Sequence, residues 1–82
     1  MKLRVWHIQN PPSTPMRYPV DTPEAAAKMI DKLAAIDLTD NRVWGNAFGL
    51  EYYDENDDDW YEWYSEEGDE DILDVIDKQK GN

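Results

Sequence analysis

The sequence predicts a small α+β domain: a β-α-β-β order in which a three-stranded, mainly antiparallel sheet carries one packed helix and ends in a short helix or strand. Three observations predict it. Residues 2–9 alternate in polarity as a strand does, Asp21-Thr22-Pro23-Glu24 opens a run whose apolar residues recur at helical spacing, and the alternating runs Asn46–Tyr53 and Trp60–Tyr64 flank an acidic turn like the arms of a hairpin.

In the first strand Leu3, Val5 and His7 share one side and Arg4, Trp6 and Ile8 the other. One face is expected to be covered, with Trp6 half exposed on the other. Asn10-Pro11-Pro12-Ser13-Thr14-Pro15 reads as an ordered loop, because prolines remove ladder donors and hold the chain extended. Thr22 suits a helix cap, Pro23 the first helical position and Glu24 the positive end of the helix dipole. Ala26, Met29, Ile30, Leu33 and Ile36 then form an apolar stripe that should end near Asp37.

The hairpin puts Phe48, Leu50 and Tyr52 on one face and Ala47, Gly49, Glu51 and Tyr53 on the other. Gly49, lacking a side chain inside a strand, invites a bulge or the close approach of another group. The segment from Asp69 to Lys78 places acids first and Lys last around Ile72, Leu73, Val75 and Ile76, which suits a short helix, although Ile-Leu-Asp-Val-Ile also fits an edge strand.

Eighty-two residues allow one domain, expected over 1–77, with 78–82 as a flexible tail. Cysteine is absent, so the core holds without disulfides or thiolate metal sites. No apolar run reaches the roughly 20 residues of a membrane span and no leader pattern is evident, which sets a cytoplasmic protein as the expectation. Residues 1–50 carry a net charge of +1 and residues 51–82 one of −12, within a total of −11. That distribution opposes binding to a nucleic-acid backbone and favours a basic partner.

Catalytic and metal chemistry find little support. His7 is the single histidine and has no zinc-ligand companions, and neither Ser13 nor Ser65 sits in a nucleophile elbow. Asp54-Glu55-Asn56-Asp57-Asp58-Asp59 fails the EF-hand pattern, because Asp59 falls where Gly belongs and Ser65 where the bidentate Glu belongs. No cofactor and no enzymatic activity are expected.

The unusual feature is aromatic: eight of the ten aromatic residues lie within the 21 residues from Trp44 to Tyr64, interleaved with carboxylates. One helix cannot cover them all. Exposed Trp and Tyr rimmed by acids suit Arg or Lys side chains through cation–π contact and charge pairing. The candidate partner-binding set is Asp57, Asp58, Asp59, Trp60, Glu62, Trp63, Tyr64, Glu66 and Glu67. A second set, Trp6, His7, Trp44, Asn46 and the Gly49 backbone, could serve a nucleotide-like ligand by stacking and amide hydrogen bonds, with Arg4, Arg17 or Arg42 on phosphate. Two open sheet edges and spare aromatics make a homodimer a further expectation.

Val5-Trp6-His7-Ile8, Val20, Pro23-Glu24-Ala25, Ile30, Leu33-Ala34, Asp37-Leu38 and Asn46-Ala47-x-Gly49-Leu50-Glu51, followed by an acidic Trp-rich tail, resemble a family of small phage and prophage proteins known for superinfection exclusion. The resemblance implies a phage-encoded protein acting by binding inside the host cell. Its partner would be a host or competing-phage protein with a basic surface, or alternatively a nucleotide signal sequestered by the chain.

Overall fold

A computed structural model describes residues 2–66 and 68–81. The elements run β1 (Leu3–Gln9), β2 (Met16–Val20), α1 (Pro23–Leu38), β3 (Asn46–Asp54), β4 (Asp59–Glu62) and α2 (Ile72–Gly81). The strands form one antiparallel sheet in the order β2-β1-β3-β4, and both helices pack on the same side of it.

The sheet therefore has four strands where the sequence suggested three. The addition is β2, which leaves the proline-rich loop and returns beside β1, pairing Leu3 with Val20 and His7 with Met16. Pro19 is tolerated because β2 is an edge strand. Tyr18 and Val20, facing the helices, add to the core. The C-terminal segment is a helix, and it continues through residues 78–81, where the sequence suggests a tail. Lys78 and Lys80 in its last turn pair with Glu70 at 3.3 Å and with Asp31 of α1 at 2.9 Å.

The helix α1 starts as its sequence dictates: the Thr22 hydroxyl accepts the Ala25 N–H at 3.0 Å and Pro23 follows in the first turn. Ala26, Ala27 and Ile30 face the sheet and meet Leu3, Val5, Phe48 and Leu50, while Ile72 and Ile76 of α2 close the core. Asp71 caps α2 by accepting the Asp74 N–H at 2.9 Å.

The other face of the sheet carries Arg4, Trp6 and Ile8 from β1, Arg17 and Pro19 from β2, Gly49, Glu51 and Tyr53 from β3, and Trp60 and Glu62 from β4. No helix covers it. Trp6 lies opposite Gly49, and its indole rests against the Gly49 backbone so closely that a Cβ there would collide with the ring. The glycine thus makes room for an indole lying flat on the strand. Gly49→Ala is expected to lower stability by about 1–3 kcal/mol, read as a lower urea midpoint. Combining it with Trp6→Ala should remove most of that loss, because the colliding ring is gone.

Candidate functional site

Three surfaces carry the chemistry that the sequence offers. The first is a groove of about 510 Å³ beyond the end of β4, lined by Pro23, Tyr52, Glu62, Trp63, Tyr64 and Glu66. Strand pairing ends at Glu62, but the Trp63 N–H still donates to the Leu50 carbonyl at 2.9 Å, which fixes the chain as it turns across the sheet end. Trp63 packs on the core while Tyr64 is exposed, so three rings and a proline wall a solvent-open channel. Burial pushes the Glu62 carboxyl above its ordinary range. The Trp6 indole N–H counters by donating to it, and Asp71 and Glu51 push the same way as burial.

The second surface is the uncovered sheet face. Here Arg4 and Lys2 are tied to rings and acids: the Arg4 Nε donates to Glu51 at 2.7 Å while its guanidinium lies 3.9 Å from the Trp60 ring centre, and the Lys2 ammonium lies 4.8 Å from that of Tyr53. Tyr53 and Trp60 meet edge to face at 5.4 Å.

The third is a buried polar cluster at the far end of the sheet. Asp37, in the last turn of α1, is only 4% exposed and accepts hydrogen bonds from His7 Nε2 at 2.8 Å, Gln9 Nε2 at 2.8 Å and Asn46 Nδ2 at 3.0 Å. Burial alone would raise the Asp37 pKa, but the bonds from Asn46, Gln9 and His7 together hold it below its ordinary value. His7, 2% exposed, stacks on Phe48 at 4.5 Å, and its Nδ1 has no partner among the described residues. Beside this cluster a shallow recess of about 240 Å³ includes Leu38, Val43, Trp44 and Gly45. Asn10, in the left-handed region at φ 54°, shapes it by accepting the Trp44 and Gly45 N–H groups on its side-chain oxygen.

The structure gathers part of the partner-binding set. Glu62, Trp63, Tyr64 and Glu66 meet in the groove, joined by Tyr52 and Pro23, which sequence reasoning did not nominate. Trp60 lies on the open face. Asp57, Asp58 and Asp59 sit at the hairpin tip, where Tyr61 and Tyr53 hydroxyls donate to Asp57 and Asp58 and the Trp60 N–H donates to Asp59. The bond to Asp57 pushes the Tyr61 pKa up to about 12. Glu67 lies outside the described residues.

The second set is divided between faces. Trp6 and Gly49 belong to the open face, His7 points the opposite way into the core, Asn46 is engaged with Asp37, and Trp44 is 78% exposed beside the recess. Arg42 is held by Asp40 at 2.9 Å and Arg4 by Glu51. The described residues gather no group of three or more metal-ligating side chains, and no helix among them is long and apolar enough to cross a membrane.

The fold and these surfaces define a small α+β domain, helical on one side and open on the other, with an acidic aromatic groove at its edge. The sequence pattern of the family described as Superinfection exclusion gene product 17 matches residues 2–81. The superinfection exclusion protein of Salmonella phage P22 is 39% identical, in an alignment covering 80% of each chain. No solved structure matches. The chain belongs to this family of phage superinfection exclusion proteins, as its Asn-Ala-x-Gly-Leu-Glu segment led us to expect.

The Asp37 cluster yields a pH prediction. Its folded pKa lies below the ordinary carboxyl value of 3.8, so its contribution is full above that value and is lost as pH falls through the lowered one. Asp37→Asn should cost about 2 kcal/mol at pH 7 and flatten the decline in urea midpoint below pH 4.

Proposed function

We propose that the protein acts in superinfection exclusion by stoichiometric binding of a host or competing-phage protein, and that the groove receives a Lys or Arg side chain of that partner. The observation that carries this reading is the lining: Tyr52, Trp63 and Tyr64 offer ring faces, Glu62 and Glu66 offer charge, and none of the chain's Lys or Arg residues is among the lining side chains. Rings attract a cation by about 0.5–2 kcal/mol each, and carboxylates at the rim add charge pairing where water is partly excluded.

The overall charge of −11 serves the same end at longer range by steering a basic surface toward the protein. The acidic hairpin tip fits this role of steering better than one of contact, since its Asp57 and Asp58 carboxylates are already paired with tyrosines. Nucleotide capture draws no comparable support. Its nominated residues are split between the two faces of the sheet, and two of its three arginines are paired with acids.

The test is exclusion itself. Cells expressing Tyr64→Ala or Glu66→Lys should regain at least tenfold plating of a phage that the wild-type protein excludes, while Trp44→Ala keeps exclusion intact. Undiminished exclusion by both groove variants, with normal protein levels, would remove the groove from the mechanism. The association rate with the captured partner should also fall steeply as salt rises.

A further inference from the structure

The uncovered sheet face does not share the acidity of the chain. Its β2 side bears the cation Arg17, which makes no ion pair among the described residues, and its β4 side bears Glu62, which has the Trp6 indole N–H but no cation. At the centre Trp6 lies flat across Gly49, half buried, with one ring face against backbone. Arg4 and Glu51 stand side by side on β1 and β3. Opposite charges thus occupy opposite margins of an aromatic patch, an arrangement complementary to itself.

We infer that this face is the interface of a homodimer, two copies packing sheet to sheet about a twofold axis that runs parallel to the strands through the boundary of β1 and β3. That axis lays β2 of one copy over β4 of the other; Arg17 is level with Trp6 and Gly49 and Glu62 with Arg4 and Glu51, so the long Arg17 side chain of each reaches Glu62 of the other across an offset of two residues, ~7 Å along the strands. It also lays β1 over β3, bringing Arg4 opposite the second copy's Glu51. Because each Trp6 leans across toward β3, the two indoles come together near the axis and stack. A twofold axis perpendicular to the strands would instead lay β2 on β2 and β4 on β4, so that the margin bearing Arg17 meets itself and the margin bearing Glu62 meets itself; the charges select the first arrangement.

Four strands at ~4.8 Å spacing and about six residues of length give a footprint of roughly 400 Å² in projection. Side-chain relief raises the buried area toward the low end of specific interfaces, near 600 Å² per partner, which fits a dimer forming at micromolar concentration or above. Edge-to-edge pairing is the weaker route, because β2 carries Pro19 and β4 is four residues long. The inference shares Glu62 with the groove reading, but Trp63, Tyr64 and Glu66 lie beyond the end of β4 and Arg17 is not among the groove residues, so Arg17→Glu tests the dimer without touching the groove.

Sedimentation equilibrium of the full chain from about 5 µM to 1 mM tests it. The wild type should move from the monomer mass toward twice that value. Arg17→Glu alone and Glu62→Arg alone should stay monomeric at concentrations at least tenfold higher, and the double variant Arg17→Glu/Glu62→Arg should dimerise again, because the exchanged charges meet across the axis. Arg17 is exposed and its replacement leaves the core untouched, so loss of folding does not confuse the outcome. A wild type that stays monomeric to 1 mM overturns the inference, as does a dimer indifferent to both single substitutions or a double variant that remains monomeric.

Discussion

A four-stranded sheet has two faces, and this chain has helices enough for one. That constraint organises the molecule. With α1 and α2 both committed to the side of Leu3, Val5, Phe48 and Leu50, the opposite residues of every strand have, among the described residues of one copy, mainly each other to pack on. They meet that condition with side chains that tolerate half exposure: guanidinium on indole, ammonium on phenol, and a tryptophan flattened onto a glycine.

The position of α1 on the sheet depends on a single carboxylate. Asp37 joins the end of the helix to β1 through His7 and Gln9 and to the start of β3 through Asn46, so one buried charge ties three elements together. A charge so placed is tolerated because three donors converge on it. At the other end of the helix, Thr22 and Pro23 set the start and bring Pro23 to the wall of the groove. The helix that covers the core thus also frames the site.

Much of this was legible in the sequence. Alternation in β1 and β3 assigned the correct faces, and the Thr-Pro-Glu start placed α1 to the residue. The strand β2 was obscured by prolines at 11, 12, 15 and 19, although Met16, Tyr18 and Val20 alternate as a strand should. The Asp37 cluster was illegible for a different reason: His7 lies 30 residues from Asp37 and Asn46 nine residues beyond it, and only the sheet register brings His7 and Asn46 to the helix end. In the groove, Glu62, Trp63, Tyr64 and Glu66 were legible from composition because they fall within one short stretch of sequence. Tyr52 and Pro23 could not be, since their proximity follows from the strand pairing that sets Leu3 against both Val20 and Tyr52.

Assignment of the groove as a receptor for cationic side chains is the central claim, and the four tryptophans report on it separately. Trp63 lines the groove, Trp6 and Trp60 lie on the open face, and Trp44 is beside the recess. Following the four indole N–H resonances by NMR during titration with N-acetyl-arginine amide is the most direct measurement. The account predicts a saturable shift of the Trp63 signal at millimolar ligand, abolished by Glu66→Lys, with Trp44 unmoved. A stationary Trp63 signal, or a larger shift at Trp44, would contradict it.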